Sequence, residues 1–454
     1  MIQKNKAEQK KSRNFLYPKK PSGKLYNYRK WLSYVLLLCL FSFPFLKYKG
    51  EQLVLLNFLE RKFVFFGLIF TPQDFYLFAF AMLIFILLVI CFTVILGRLW
   101  CGWICPQTIF MEMVFRRIEY WIEGDAVRQK KLDKQPWNSE KVLKKGGKHF
   151  IYIVISFAIA NTFLAYLTGS EVLYKIIAEP ITLHLSGFIS ICFFTAIFYG
   201  VFAYAREVIC TIICPYGRLQ GVLLDNQSLI VAYDEKRGEP RGKLSRNLSD
   251  VMGDCVDCAL CVQVCPTGID IRKGTQLECI NCTACIDACD GVMLTINKPK
   301  RLIGFYNNDY IKFRKTFKAG TKAYGYAAVL AIAVLLFSSL IYKREHVQTT
   351  VLRASGTLFQ QLPDGKVSNL YTAELINKTN KEIPFTFRSS QETDSLIFIQ
   401  KEQFLPKEGT VYLTFFLVKK PVTIKRYKSE VKFEVLTNNS IISTAKTSFF
   451  ANPN

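Results

Sequence analysis

Eight of the fifteen cysteines in this 454-residue chain fall between positions 255 and 289, and that placement constrains the fold more than any other feature. Four more form two matched pairs, Cys101/Cys105 and Cys210/Cys214, and only Cys39, Cys91 and Cys192 stand alone. Residues 290–454 contain none. A disulfide-stapled domain spreads its cysteines through a short secreted chain. Crowding them into one segment of a long chain points to metal ligation.

The eight form two interlocked runs, Cys255-x2-Cys258-x2-Cys261-x3-Cys265-Pro266 and Cys279-x2-Cys282-x2-Cys285-x3-Cys289. This is the spacing of bacterial two-cluster ferredoxins, in which three thiolates wrap one face of a cubane and the fourth crosses to the other cluster. Cys255, Cys258, Cys261 and Cys289 are therefore expected to hold one 4Fe-4S cluster, and Cys279, Cys282, Cys285 and Cys265 a second. Structural zinc also takes Cys-x2-Cys pairs, but interlocked runs of four with Cys265-Pro266 are not a zinc pattern. The second run ends in Cys289-Asp290 where many ferredoxins carry proline; that bears on the turn and leaves the ligand number unchanged. Two neighbouring clusters pass single electrons, so the segment reads as an electron-transfer module.

The chain around this insert is 51% hydrophobic yet carries a net charge of +24. A disordered chain is excluded, and so is a wholly embedded bundle, because 59 Lys and Arg must sit in water. Five runs have the length and polarity of transmembrane helices: 31–49, 75–97, 150–168, 187–205 and 324–342. The stretch 53–70 is apolar at both ends, but Glu60, Arg61 and Lys62 occupy its middle, where each charge costs about 2.5–3.5 kcal/mol. It is expected to be an interfacial or outside loop with short strands.

Lys and Arg number ten in residues 1–30, eleven in 98–149 and seventeen in 206–323, whereas 50–74 and 169–186 carry only Arg61, Lys62 and Lys175. The positive-inside rule places the charge-rich segments in the cytoplasm and, with five spans, the C-terminal region in the periplasm of a bacterium. Topology thus accounts for 38 of the 59 cations, and the partner implied is the lipid bilayer; no nucleic acid is expected. No small-x-small site follows the first apolar run, which reads as a signal anchor.

The expected fold class is mixed: an α-helical membrane domain (five spans) with an inserted bacterial-type two-cluster ferredoxin domain and a C-terminal immunoglobulin-like β-sandwich. Its parts are a basic cytoplasmic segment (1–30), a four-helix membrane domain (31–205), a cytoplasmic ferredoxin-like domain (206–323), a fifth transmembrane helix (324–342) and a periplasmic sandwich (343–454). The sandwich is read from β-branched and aromatic runs at 351–352, 369–376, 384–387, 410–418 and 430–436, broken by Pro363-Asp364-Gly365 and Asn438-Asn439. It has no cysteine pair, so any inter-sheet disulfide is excluded.

An internal repeat carries the second candidate site. Cys101-Gly-Trp-Ile-Cys105-Pro106 follows the second apolar run and Cys210-Thr-Ile-Ile-Cys214-Pro215 the fourth, as in a parallel duplication of helical hairpins. An i,i+4 pair shares a helix face, and the following proline should kink or end the helix beside the thiols. Four converging sulfurs suit Cu(I), zinc or iron–sulfur centres, or a dithiol/disulfide relay; small buried residues at helix ends are the structural alternative. Cys39, Cys91 and Cys192 read as packing residues. His149, His184 and His346 form no helical pair, so bis-His haem is not expected. Arg98, Arg206, Glu207 and Arg218 flank the motifs, where arginine would lower thiol pKa values or simply mark the membrane edge. No G-x-G occurs, which removes the dinucleotide fingerprint and leaves the electron donor unknown.

Taken together, these motifs resemble the cytochrome c oxidase accessory protein family (CcoG, FixG or RdxA), membrane-bound polyferredoxins. The resemblance rests on Cys101-Gly-Trp-Ile-Cys105-Pro106-Gln107-Thr108, Arg206-Glu207, Cys214-Pro215-Tyr216-Gly217-Arg218, Asp225, Leu229-Ile-Val-Ala-Tyr-Asp234, Arg237-Gly-Glu-Pro-Arg241-Gly242 and both ferredoxin runs. Arg61-Lys62-Phe63, Phe66-Gly67 and Asn369-Leu370-Tyr371 are similar more weakly, and the chain departs from the family pattern at Arg301-Leu-Ile-Gly-Phe305 and Arg353-Ala354-Ser355. What the resemblance implies is an inner-membrane protein that reduces Cu(II) to Cu(I) for assembly of a cbb3-type haem–copper oxidase. Cys101, Cys105, Cys210 and Cys214 would then serve as a thiol relay or copper site. Copper ions, oxidase assembly factors or a copper transporter, and an unknown electron donor are the implied partners. Two other functions compete: a quinol-linked conduit to a periplasmic reductase, which shares paired Cys-x3-Cys-Pro motifs, and a copper chaperone or assembly scaffold without turnover.

Overall fold

The computed structural model describes residues 16–48, 50–59, 62–70, 74–242, 252–314, 320–354, 359–391, 393–399, 402–421, 426–438 and 440–452. Glu60, Arg61, Ser355, Asn439 and the Arg218 side chain, all singled out in the sequence, lie outside the described residues. The chain divides into two compact units, Met1–Phe45 with Ala81–Leu335 and Leu46–Phe80 with Leu336–Asn454.

Among the described residues four helices are long and apolar enough to cross a membrane: Phe75–Leu96, Ser139–Thr168, Leu185–Ala205 and Thr321–Tyr342. A helix satisfies its own backbone polar groups and so can present apolar side chains to lipid; only 6% of the apolar window in Thr321–Tyr342 is covered by protein. These match four of the five expected runs. The helix over the remaining run, Lys24–Ser42, begins earlier than expected and carries Lys24, Arg29 and Lys30 in its first half. Only its second half is continuously apolar, so it is not among these four. Leu37, Leu40 and Phe41 from that half pack beside Phe110, Phe115, Tyr152 and Phe202, and the Tyr166 hydroxyl donates to the Leu40 carbonyl at 2.8 Å.

The cysteine-rich insert is framed by a two-stranded antiparallel ribbon, Ile230–Tyr233 with Ile303–Tyr306. Val231, Tyr233, Ile269, Ile271, Ile286, Met293 and Ile303 form its apolar core, with Cys261 and five other cysteines of the two runs packed among them. The Leu229 N–H donates to the Ile95 carbonyl at 3.1 Å, tying the ribbon to the end of the first span.

In the second unit, Val54–Asn57, Lys62–Phe65 and Leu68–Phe70 form a three-stranded antiparallel sheet, so the short strands expected at 53–70 are present. Lys62 pairs with Glu51 at 2.9 Å and Glu408 at 2.5 Å. Buried Asp74 accepts from Arg344 at 2.6 Å and Lys378 at 2.7 Å. A five-stranded sheet runs Ser395–Phe398, Thr410–Lys419, Val367–Asn377, Val347–Arg353, with Gln360–Gln361 on its side; a three-stranded one runs Thr386–Ser389, Lys428–Thr437, Ser440–Phe450. Inward residues Tyr371, Phe387, Phe415, Phe433 and Phe449 share one core, as alternation along strands requires. Each expected strand run falls on or overlaps an observed strand, and Gly365 takes φ 71 in the expected turn.

Candidate iron–sulfur and thiol site

The two cysteine runs follow the same backbone path. Two and four residues after the first cysteine of each, Asp257 and Ala259 (φ 52 and 53) and Asn281 and Thr283 (φ 53 and 66) enter the left-handed region. That conformation costs a non-glycine residue about 1–2 kcal/mol and persists where the surroundings over-determine it. Each run then enters a helix at its third cysteine, Leu260–Gln263 and Ala284–Thr295.

The fourth thiol of each run turns towards the other. Cys265, Cys279, Cys282 and Cys285 line one apolar cavity, beside Cys261, Val231 and Ile269. Cys289 lies among Cys261, Cys255 and Cys258, whose charges all act on it. Burial pushes the thiols of Cys261 and Cys279 up to about 11 and those of Cys282 and Cys289 to about 12. Thiols held this firmly in the neutral form ionise only for a strongly positive centre, with proton release on binding. Among the described residues no three His, Cys, Asp or Glu side chains are arranged around a single metal ion. Two converging sets of soft thiolates are the donor set that 4Fe-4S clusters take.

The membrane-edge pairs correct one expectation. Cys101 lies in the helix Leu99–Trp103, but Cys105 (φ −58, ψ 123) is extended and caps Pro106–Ile109. Cys210 lies in the π-helix Ile209–Ile213, and Cys214 (φ −68, ψ 113) is extended and caps Pro215–Leu223. The i,i+4 pairs therefore do not share a helix face. Each proline excludes the α conformation from the residue before it and opens a new helix as its first residue. The four thiols converge nonetheless: Cys101 feels the charges of Cys105, Cys210 and Cys214. A second correction concerns arginine. Arg98 does act downwards on Cys101, but burial outweighs it and pushes that thiol to about 12. Burial also pushes Cys210 to about 11 and raises Cys105. Of the isolated cysteines, Cys91 is buried and Cys39 half-buried, but Cys192 is exposed on the span Leu185–Ala205, so protein packing does not account for it. His149 meets the Tyr199 hydroxyl at 3.0 Å and His184 meets Glu179 at 2.7 Å.

The first thiol pair and the two cysteine runs meet at a packed junction. Cys101 sits against Val264, Ile280, Cys282 and Ala284. Gly102 comes so close to the second run that a Cβ there would lie 2.4 Å from the Ile280 carbonyl oxygen. The buried Arg98 guanidinium donates to the carbonyls of Leu277 and Gly217, joining both thiol motifs to the second run. Arg116 donates to the Pro266 carbonyl at 3.1 Å and to Glu207 at 3.3 Å. Arg206, buried, pairs with Glu119.

Sequence reading missed the polar chain behind Cys101. The thiol donates to Gln220 Oε1 at 3.1 Å; Gln220 Nε2 donates to Thr93 at 3.3 Å, and Thr93 meets the Tyr216 hydroxyl at 2.9 Å. Gln220 and Thr93 are wholly buried. The available signal was the i,i+4 spacing of Tyr216 and Gln220 just after Pro215, which puts two polar groups on one helix face. Trp103 Nε1 and Gln107 Nε2 are also buried beside the pairs, without a hydrogen-bond partner among the described residues.

Comparison with known proteins agrees with this geometry. A family model described as a 4Fe-4S dicluster domain matches residues 205–308, one described as a 4Fe-4S binding domain matches 78–134, and one for the Ig-like fold at the C-terminal of FixG matches 337–452. Protein RdxB of Cereibacter sphaeroides is 33% identical over 85% of this chain and 84% of its own. Protein RdxA of the same organism is 34% identical over 82% and 81%, and the nitrogen fixation protein FixG of Rhizobium meliloti 34% over 64% and 57%. With two 4Fe-4S clusters, spanning helices and a β-rich C-terminal domain, this chain is a membrane-associated electron-transfer protein and belongs to the FixG/RdxA family.

Proposed function

We propose that this protein reduces Cu(II) to Cu(I) for assembly of a cbb3-type cytochrome c oxidase, with Cys101, Cys105, Cys210 and Cys214 carrying electrons from the iron–sulfur domain to copper. Cys255, Cys258, Cys261 and Cys289 hold one 4Fe-4S cluster and Cys279, Cys282, Cys285 and Cys265 the other. When bound, the clusters supply one-electron transfer. The observation that carries the reading is the direct packing of Cys101 and Gly102 on Ile280 and Cys282.

The chemistry balances on the chain's own thiols. Two thiols that close to a disulfide release two electrons and two protons, enough to convert two Cu(II) to two Cu(I). Two electrons and two protons returned from the iron–sulfur side restore the dithiol. Soft sulfur ligands favour the reduced ion, so the site favours its product. Gln220 positions the Cys101 thiol through its 3.1 Å hydrogen bond.

In the membrane, Lys24–Ser42 joins the four spans as a fifth, the N-terminus and residues 206–323 face the cytoplasm, and 343–454 face the periplasm. The charge asymmetry supports this topology, as does the clustering of Leu46–Phe80 with Leu336–Asn454, two segments assigned to the same side. The test is anaerobic: reduce the protein, then add Cu(II) or a quinone analogue separately. Stoichiometric reoxidation by copper that disappears when the four cysteines become serine supports the proposal. Reoxidation by quinone alone, or by neither, refutes it.

A further inference from the structure

One face of the iron–sulfur domain carries more positive than negative charge. Residues 19–24 lie along the helix Ala284–Thr295, and between them runs a groove of about 660 Å³. Lys19, Lys20, Lys24, Lys300 and Arg301 line it, against Asp287 and Asp290. Both carboxylates are already used. Asp287 accepts from the backbone N–H of Leu25 at 3.2 Å and Tyr26 at 2.7 Å. Asp290 accepts from the Arg301 N–H at 2.7 Å and faces its guanidinium at 3.6 Å. Among the described residues, the ammonium groups of Lys19, Lys20, Lys24 and Lys300 make neither ion pairs nor hydrogen bonds, and all four residues are exposed. Five cations face two carboxylates in the groove, so a net positive field projects from it into the solvent.

The floor of the groove reaches both ligand sets. Val264 and Ala288 line it, and each immediately precedes a ligand, Cys265 and Cys289. Leu294, 56% exposed, gives the cationic rim an apolar contact point.

We propose that this groove is where the electron donor docks, and that the donor is a small acidic one-electron carrier protein. One electron leaves the carrier's reduced centre and one arrives at the iron–sulfur domain; no bond forms or breaks and no proton moves. A hydride donor is disfavoured, because it releases two electrons together and needs a group that separates them, and the chain carries no dinucleotide motif. The proposal rests on the electron-transfer assignment and is independent of whether copper is the final acceptor.

An acidic plant-type 2Fe-2S ferredoxin serves as the probe, in two measurements on the detergent-solubilised full chain. In the first, reduced ferredoxin is mixed with oxidised protein and the bimolecular rate constant is followed against ionic strength. In the second, binding of oxidised ferredoxin is titrated without turnover. Lys20→Glu/Lys24→Glu/Lys300→Glu should lower the rate constant at least ~10-fold at low salt, flatten its salt dependence and weaken binding in parallel. Reduced methyl viologen, a small cation, should reduce wild type and variant within about twofold of each other. The milder Lys→Gln triple variant should fall between, which separates charge from misfolding. Unchanged ferredoxin kinetics and binding in the triple variant overturn the proposal. So does an equal loss with viologen, or a loss confined to binding of anionic lipid vesicles.

Discussion

Replacing Gly102 by Ala adds one methyl group at the narrowest point between the thiol pairs and the cluster ligands. The new Cβ would stand 2.4 Å from the Ile280 carbonyl oxygen and 3.0 Å from the Asn281 carbonyl carbon and oxygen, where ordinary contact begins near 3.4 Å. The obstacle is backbone, which cannot swing aside as a side chain would, so the two segments must part by about 1 Å. Overpacking of that kind costs about 1–3 kcal/mol. Thermal melting of the detergent-solubilised holoprotein, followed through cluster absorbance, should register that loss. Gly291→Ala is the control, because its Cβ would meet nothing within 4 Å. It lies in the helix Ala284–Thr295, where the change should be neutral or stabilise by about 0.4–1 kcal/mol. The functional readout is sharper. If electrons cross this junction, Gly102→Ala should also slow reoxidation of the reduced protein by Cu(II), because the added separation lies on their path. A variant that melts and reoxidises like wild type would refute the claim that the Cys101–Ile280 contact carries the transfer.

Three further outcomes are expected. Glu119→Gln should destabilise the protein by about 3–5 kcal/mol in a denaturant titration, because it leaves Arg206 and Lys148 buried with their shared partner neutralised. Burial opposes ionisation of Glu119, but Arg206 and Lys148 overcome it and hold its pKa below the usual range. Its contribution is therefore complete above the unfolded carboxylate value of about 4.3 and is lost as pH falls through the lower folded value. Removing the clusters with a chelator and an oxidant should abolish amide-exchange protection across 230–242 and 252–306 while the four spans keep theirs, since the buried cysteines are part of the insert's core; retained protection in the iron-free protein would contradict this. Tyr371→Phe removes the 2.9 Å bond to the Ser448 carbonyl from the C-terminal core and should cost about 1–3 kcal/mol, read as earlier melting of the β-rich signal in circular dichroism.

The parts legible in the sequence are those whose physics is local. Cluster ligation is written in fixed spacings, so the two 4Fe-4S clusters could be read before any coordinates. Membrane-length helices are written as uninterrupted apolar length, and the strand runs at 369–376, 410–418 and 430–436 as β-branched and aromatic stretches between turn signals. The hidden parts depend on what packs against what. Pro106 and Pro215 were visible, but a helical periodicity hid the consequence that Cys105 and Cys214 turn extended. Arg98 looked like a membrane-edge charge or a thiol activator; its observed role, bridging the Leu277 and Gly217 carbonyls, needs contacts 119 and 179 residues away. Gln220 carries no signature of its own until Cys101 is placed beside it. The helix over the first apolar run begins earlier than the run itself, at Lys24, and Arg29 of its charged flank is buried within the unit, which the apolar run alone could not indicate.

Iron, acid-labile sulfide and free thiols, counted together on anaerobically purified protein, test the central division between cluster ligands and relay thiols most directly. Two clusters on eight of the fifteen cysteines leave seven unligated and require about eight iron and eight sulfide per chain, with Cys101, Cys105, Cys210 and Cys214 among those open to alkylation after mild reduction. About twelve iron with those four cysteines protected would mean that they hold a third cluster. Zinc in place of iron would remove the electron-transfer chemistry itself.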